Sequence, residues 1–259
     1  MVSRPGDGEQ RRAGHPRRYT EETAWRAWDG WATLPDLDLP AAGQLVSVVS
    51  AHPDDDVLAI GGLVQRLRRR GCDLAFVCAT DGEASHPDSP TMTPTRLALH
   101  RTDELGRALA RLGCSGARHT ALHLPDGRLG DASAELANRL EPSLQDAAVV
   151  LAPWRGDGHP DHEACGRAAV TVSDRWQAGP AVWEYPVWAW HWAEPGSPAV
   201  PWGRARAVRL GTEERLGKAE AINEFRSQVE PLSDDPADAP VLPHAVLAHF
   251  TRAVEVVFT

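Results

Sequence analysis

Two short segments contain most of the residues that could do chemistry in this chain. They are residues 51–56, with the sequence AHPDDD, and residues 158–162, with the sequence GHPDH. Each contains a His-Pro-Asp turn. Imidazole and carboxylate groups are ligands of catalytic zinc, which usually takes three protein ligands and keeps a fourth position open. The sequence therefore predicts a metal site built from both segments.

The spacing within the two segments suggests a division of roles. His52 and Asp55 are three residues apart, so one helical turn can direct both towards a common point, and His162 can supply the third ligand. Asp54 then remains beside the metal to take a proton from water. His159 remains to protonate or polarise the reacting group. The predicted chemistry is metal-assisted hydrolysis of an amide.

Other aspartates in the two segments have simpler interpretations. Asp161 is expected to hydrogen-bond a histidine and fix its tautomer. An aspartate that follows a strand is often only a helix N-cap, and we interpret Asp56 in that way. A single His-Pro-Asp turn would often be structural. Two such turns, with three histidines and four aspartates between them, are hard to explain by capping and favour the metal site.

Strands and helices alternate along the chain, which predicts an α/β fold: a Rossmann-like, open, mostly parallel sheet with helices on both faces and a less regular C-terminal part. Both turns follow a buried strand and open a helix, at the sheet edge where such folds bind ligands. We predict strands at residues 44–50, 73–79, 119–124, 147–152, 181–185, 205–210 and 254–258. We predict helices at residues 21–32, 57–70, 95–112, 132–145, 161–177 and 212–227.

Composition limits the kind of protein and its partners. The 259 residues suggest a disordered tail over residues 1–19 and a single domain over residues 20–259. A net charge of -9 argues against a nucleic-acid partner. No apolar run is long enough for a transmembrane segment, and no signal peptide is recognised, so we expect a soluble cytoplasmic protein. The four cysteines are expected to be buried free thiols.

The combination of AHPDDD with a distant HPDH resembles the PIG-L/LmbE-like zinc-dependent de-N-acetylases. The resemblance extends over about residues 44–228 and implies His52, Asp55 and His162 as zinc ligands. It also implies Asp54 as the general base and His159 as the acid or the oxyanion partner. Iron(II) suits the same ligands, so the resemblance does not separate the two metals.

The same resemblance suggests residues that contact substrate. Arg101 resembles a family arginine near the sugar, although a surface or capping role on its helix is equally plausible. Asp81 lies after the second strand and is expected either to contact substrate hydroxyls or to hydrogen-bond within its loop. The chain departs from the family in two places. Asp56 replaces the more usual glutamate, and no tyrosine precedes the second motif to assist an oxyanion.

By resemblance the substrate is an N-acyl amino-sugar conjugate: a glycolipid, a nucleotide-sugar or a secondary-metabolite glycoside. Tryptophans between residues 188 and 202 would either stack on that substrate or seal the sheet edge or an oligomer contact. Two alternatives remain open at this stage. One is an inactive, metal-stabilised binding protein. The other is a magnesium-dependent phosphatase that uses Asp54 and Asp56, although it leaves HPDH unexplained.

Overall fold

The structure, a computed structural model, describes residues 19–259, so the predicted tail lies outside the described residues except for Tyr19. The Tyr19 hydroxyl donates a hydrogen bond to the carbonyl of Ala245, so the packed domain already includes this residue. Seven strands form one sheet: β1 (Leu45–Ser50), β2 (Asp73–Thr80), β3 (Arg118–Leu124), β4 (Val149–Pro153), β5 (Ala181–Tyr185), β6 (Ala205–Arg209) and β7 (Val254–Phe258).

Nine α-helices accompany the sheet in the described part of the chain. They are α1 (Glu22–Arg26), α2 (Asp55–Arg70), α3 (Pro94–Arg111), α4 (Ser133–Leu144), α5 (Pro160–Ser173), α6 (Ala189–Trp192), α7 (Thr212–Ile222), α8 (Arg226–Val229) and α9 (His244–Leu247). Short 3-10 helices lie at Asp29–Ala32, Trp202–Arg204, Pro236–Asp238 and Ala248–Phe250. No helix among these residues is long and apolar enough to cross a bilayer.

The strand order is β3-β2-β1-β4-β5-β7-β6, and β1 to β5 pair in parallel. The last two strands in this order join the sheet antiparallel. The predicted mostly parallel α/β fold is confirmed. The chain builds β1, β2 and β3 outwards in one direction and then returns to place β4 on the other side of β1. The carboxyl ends of β1 and β4 therefore border the crevice where the strand order reverses.

Two apolar cores cover the two faces of the sheet. On one face, α2, α3 and the C-terminal segments pack around residues such as Ile60, Leu63 and Phe258. On the other face, α4 and α5 pack around residues such as Leu136 and Val150. Strands β1 and β4 are almost wholly buried because both faces of the sheet are covered there, which explains their continuous valine-rich sequences. The four cysteines are buried and free, as predicted.

The sequence prediction was wrong about two helices. Residues 212–227 form two helices, because the chain turns at Phe225, whose side chain is fully buried in the core. Residues 21–32 form the short α1 and a 3-10 turn instead of one helix. Trp25 in this segment is fully buried and its ring lies 5.1 Å from that of Trp190. The tryptophans here pack the segment onto the domain, as expected.

Candidate metal centre

The turn between β1 and α2 places the first two candidate ligands. Asp55 is the first residue of α2, and its Oδ2 accepts hydrogen bonds from the backbone N–H groups of Ala51 and His52 at 3.0 and 2.9 Å. These bonds fold the turn back on the start of the helix and fix the carboxylate. The Pro160–Ser173 helix, α5, then brings His162 to the same place from the carboxyl end of β4.

Three side-chain groups converge at this point. The Nδ1 atom of His52 lies 3.3 Å from the Nε2 atom of His162 and 3.5 Å from Oδ2 of Asp55. The Nε2 atom of His162 lies 3.2 Å from Oδ1 of Asp55. Around a tetrahedral zinc ion with bonds of about 2.0–2.1 Å, neighbouring ligand atoms are about 3.3–3.4 Å apart. The spacing and the donor types suit one zinc ion, with Asp55 presenting Oδ2 to His52 and Oδ1 to His162.

The second ring nitrogen of His52 is bound by carboxylates. Its Nε2 atom lies 3.1 Å from Oδ1 of Asp126 and 3.4 Å from Oδ2 of Asp161. An ionised carboxylate only accepts hydrogen bonds, so Nε2 carries the proton. The lone pair of Nδ1 is then left for a metal ion between His52, His162 and Asp55. Asp161 also accepts the N–H groups of Gly127 and Leu129, which ties the turn after β3 to the site.

Asp157 does the same for His162. Its Oδ2 lies 2.6 Å from Nδ1 of His162, so that nitrogen donates and Nε2 is free to bind a metal. The Asp157 carboxylate also accepts the backbone N–H groups of Val187, Trp188 and Ala189. One fully buried aspartate thus joins the metal site to the start of the tryptophan-rich segment.

The charges in this cluster favour a bound cation. Burial lowers the pKa of His52, but Asp55 and Asp126 more than offset this and raise the pKa well above its usual value. For His162, burial also lowers the pKa, but the adjacent Asp55 outweighs burial and raises the pKa to about 9. The pKa of Asp55 is lowered despite its burial, because both imidazoles are adjacent. A metal ion bound here replaces protons that these rings otherwise hold.

Asp54 lies at the N-cap of α2 and forms a buried ion pair with Arg101. The Arg101 Nη2 atom donates to Asp54 Oδ1 at 2.9 Å, and Nη1 donates to the carbonyl of Gly82, also at 2.9 Å. Only 3 % of Arg101 is exposed, so the alternative of a surface arginine is wrong. Gly82 has a φ of +65°, and a Cβ there would lie 2.1 Å from Arg101. Glycine is needed here for both reasons.

His159 stands at the start of α5 beside the candidate ligands. Its ring stacks on that of His162 at 4.5 Å, and its ligand nitrogen is within 4.8 Å of those of His52 and His162. Its Nδ1 accepts the N–H of Asp161 at 3.3 Å. Burial, followed by the neighbouring imidazoles, holds the pKa of His159 well below its usual value. The neutral ring therefore carries its proton on Nε2 and can donate it in a hydrogen bond.

Two other sequence predictions meet different surroundings. Both oxygens of Asp81 lie within 2.9 Å of Nδ1 of His123, at the rim of the sheet. The assignment of Asp56 as the helix N-cap is wrong, because α2 already begins at Asp55. Asp56 is instead buried inside the first helical turn, and its burial raises its pKa to about 7.

The sequence did not single out Asp126 and Asp157 as partners of the ligands. Asp126 follows β3 in a Pro-Asp-Gly turn, and Asp157 precedes the second His-Pro-Asp turn. Each is an aspartate just beyond a predicted strand, on the same sheet edge as the ligands, and this position was the available signal. Their hydrogen bonds depend on which strands are neighbours, and spacing along the chain does not give that.

Fold and site together define a class: a Rossmann-like α/β domain with a histidine–aspartate metal centre at the switch point of its sheet. The chain matches the profile of the family PIG-L, described as GlcNAc-PI de-N-acetylase, over residues 47–173. It is 30 % identical over 221 residues to a 1D-myo-inositol 2-acetamido-2-deoxy-alpha-D-glucopyranoside deacetylase of Kineococcus radiotolerans; the match covers 71 % of this chain and 55 % of that protein. The chain belongs to the PIG-L/LmbE family.

Two further comparisons widen this picture. A probable N-acetyl-alpha-D-glucosaminyl L-malate deacetylase 2 of Bacillus subtilis is 32 % identical over 133 residues, covering 48 % of this chain and 58 % of that protein. The solved N,N'-diacetylchitobiose deacetylase from Pyrococcus horikoshii shares the fold, with a TM-score of 0.58, 20 % identity, and coverage of 83 % and 78 %. The chain spans a little over half the length of the curated relatives it matches.

Proposed function

We propose that this protein is a zinc-dependent hydrolase that removes the N-acetyl group from an N-acetylglucosamine conjugate. One observation carries the proposal: Nδ1 of His52 and Nε2 of His162 lie 3.3 Å apart and each lies within 3.5 Å of an oxygen of Asp55, with the His159 ring adjacent and Asp54 next to Asp55 in the chain. A purely structural metal site needs neither a further carboxylate that is not a ligand nor a third imidazole. Zinc in this site supplies a Lewis acid that activates water and polarises the amide carbonyl.

The residues of the chain supply the proton transfers and the orientation. Asp54 accepts the proton of the attacking water and returns it to the amino-sugar nitrogen as the C–N bond breaks, and the ion pair with Arg101 holds its carboxylate in position. Neutral His159 donates its Nε2 proton in a hydrogen bond to the oxygen that becomes negative as the amide is attacked. Asp126, Asp161 and Asp157 keep the ligand imidazoles in the tautomers that the metal requires.

The substrate class follows from the relatives. The relatives named above are deacetylases whose names specify an N-acetylglucosamine unit joined to inositol, to malate or to a second sugar. The site here is bordered by polar turns after β2 and β3 on one side. Trp188 borders it on the other, with its ring 6.3 Å from that of His159. A sugar offers both hydroxyl groups and an apolar face, so both borders suit it.

The variant Asp54→Asn separates this function from that of an inactive metal-binding protein. We expect it to bind zinc with unchanged stoichiometry but to release acetate about 10²- to 10⁴-fold more slowly, because an amide cannot act as the base. Asp88→Asn, at an exposed aspartate, is the matched control and keeps full activity.

The measurement combines metal analysis with acetate release from N-acetylglucosamine conjugates by zinc-loaded protein. Reloading with iron(II) or magnesium tests the choice of metal, and zinc is expected to give the activity. A wild-type protein that binds zinc yet releases no acetate from inositol, malate or disaccharide conjugates would refute the proposal. So would an Asp54→Asn variant with full activity.

A further inference from the structure

His123 has an unusual backbone conformation. Its φ is +50°, and it is the one non-glycine residue with a positive φ among residues 19–259. The cause is a bulge in β3. Cys78 pairs with Ala121 and Thr80 pairs with Leu124, so three steps along β3 match two steps along β2. Bulges of this kind redirect a side chain and occur often beside active sites.

The bulge directs the His123 imidazole outwards to Asp81. The Nδ1 atom lies 2.9 and 2.8 Å from the two carboxylate oxygens, while 64 % of the histidine side chain remains exposed. The neighbouring Leu122 and Leu124 stay buried in the core. An exposed ion pair of this type contributes little to stability, so it does not offset the energetic cost of the strained backbone. Backbone strain that local contacts do not offset points to a functional role.

The pair adjoins two turns, residues 82–84 after β2 and residues 125–129 after β3, that connect to the candidate metal centre and are here called its mouth. The turn after Asp81 and the turn after β3 hold each other through two bonds: the N–H of Ala84 donates to Asp126 Oδ2, and the N–H of Asp126 donates to Glu83 Oε1. Asp126 in turn contacts the ligand His52. His123 is therefore only three residues before Asp126, whose carboxylate contacts the candidate ligand His52.

We infer that His123, held by Asp81, is a specificity residue that contacts the group attached to the amino sugar. This inference rests on the proposed function. Nδ1 faces Asp81, so Nε2 of the exposed ring is the atom left to form a hydrogen bond with a substrate. A hydroxyl group suits Nε2 because a hydroxyl can both donate and accept. The two Asp81 oxygens share the single Nδ1 atom of His123, so Asp81 holds the ring and keeps acceptor sites for a substrate hydroxyl of its own.

The charges of the mouth narrow the class of attached group. Asp81, Glu83 and Asp126 border it, and Arg128 in the second turn points to Asp131. Arg101 nearby is already engaged by Asp54. Carboxylates outnumber guanidinium groups around these turns, so an attached group with its own carboxylate or phosphate is disfavoured. The site therefore selects a neutral, hydroxyl-rich attached group, such as a second sugar or a cyclic polyol.

The test uses His123→Gly, because glycine adopts a positive φ without strain and removes only the imidazole. Asp81→Asn weakens the hold on the ring, and His100→Ala, at an exposed histidine of α3, is the matched control. For each zinc-loaded protein, kcat and KM are measured with four substrates. These are N-acetylglucosamine, N,N'-diacetylchitobiose, the N-acetylglucosaminyl inositol conjugate and the N-acetylglucosaminyl malate conjugate. Thermal melting is recorded in parallel.

We expect His123→Gly to raise KM about three- to tenfold for the disaccharide and the inositol conjugate, the size of one lost hydrogen bond. Its KM for N-acetylglucosamine and the malate conjugate, its kcat, and the behaviour of His100→Ala stay unchanged. Its melting temperature stays equal or rises. An equal KM increase with N-acetylglucosamine, or no increase with the two neutral conjugates, would overturn the role of His123. No acetate release by the wild-type protein from any of the four would instead refute the proposed function.

Discussion

Two buried histidine–carboxylate clusters in this molecule look alike in composition but differ in geometry. The first is the metal centre. The second, here called the Glu22 cluster, consists of Glu22, His249, Arg252 and Tyr19. In it, Nδ1 of His249 lies 3.0 Å from Glu22 Oε2, and Nε2 lies 3.0 Å from the Tyr19 hydroxyl. Arg252 donates to both oxygens of Glu22.

In the Glu22 cluster both ring nitrogens of the histidine have partners within the protein, and an arginine balances the carboxylate. In the metal centre His52 and His162 each bind a carboxylate through one nitrogen, and their other nitrogens meet at Asp55. Burial and pairing with carboxylates are common to both clusters. The direction of the second nitrogen distinguishes a site that holds a cation from one that stabilises the fold.

The largest expected effect is that of His162→Ala. Removal of one of three ligands should abolish stoichiometric zinc binding and reduce acetate release below detection, because the base and the imidazole of His159 then have no metal to act beside. Metal analysis and an acetate assay measure both. The matched control is His249→Ala, which removes a buried imidazole from the Glu22 cluster and should keep its zinc. Loss of zinc from the control as well would erase the distinction between the clusters.

Glu22→Ala should have the opposite profile. It leaves the buried guanidinium of Arg252 without its carboxylate, and loss of one partner of a buried pair costs about 3 to 5 kcal/mol. Chemical unfolding should show this decrease in the free energy of unfolding, while zinc stoichiometry and the kcat of the folded protein stay at wild-type values. A Glu22→Ala protein that keeps the wild-type free energy of unfolding but loses zinc would contradict the structural role given to this cluster.

Asp157→Asn tests the carboxylate behind His162. The amide can present its N–H₂ group to Nδ1 and no longer favours the tautomer with Nε2 free. Zinc affinity should therefore fall about 10- to 100-fold, the usual cost of losing such a partner. Competition with a chelating dye measures the change. Asp131→Asn, at an exposed aspartate, provides the control. An unchanged affinity would mean that the position of His162 does not depend on Asp157.

The smallest expected effect is the gradual change of unfolding free energy and zinc affinity with pH. The pKa of His162 is raised from 6.5 to about 9 in the metal-free fold. Its protonation therefore stabilises the metal-free protein fully below about pH 6.5, and this contribution is lost as the pH rises to about 9. Zinc must displace the same proton, so its affinity should rise up to about tenfold per pH unit over this range. Unfolding and zinc titrations at pH 6 to 9 measure both trends.

His162→Ala should reduce this dependence in the unfolding of the metal-free protein to the part that His52 contributes, whereas Glu22→Ala should retain it in full. If zinc affinity were flat between pH 6 and 9, His162 would not hold a proton that the metal displaces, and the buried pair with Asp55 would need another explanation.

Much of the fold, and the convergence of the candidate ligands, was predictable from sequence. The valine-rich stretches that became β1 and β4 indicated strands covered on both faces, and each was followed directly by a His-Pro-Asp turn. Parallel strands end at one edge of a sheet, so His52 and His162 were expected to meet there even though they are distant in sequence.

The rest depended on tertiary contacts. The ion pair between Asp54 and Arg101 forms because α3 packs near the turn after β2, and the turn at Phe225 follows from core packing. The bulge at His123 is a property of two paired strands and has no pattern in one of them. The roles of Asp54, His159 and the three ligands remain predictions that the variants above test.

The most direct test is a crystal structure of the zinc-loaded protein with anomalous data collected at the zinc absorption edge. We predict one strong peak about 2.0–2.2 Å from Nδ1 of His52, Nε2 of His162 and an oxygen of Asp55. His52 also forms a second possible ligand group with Asp126 and Asp161, through its Nε2 atom. A peak in that second group, or no peak near His52 at all, would contradict the account of the metal centre.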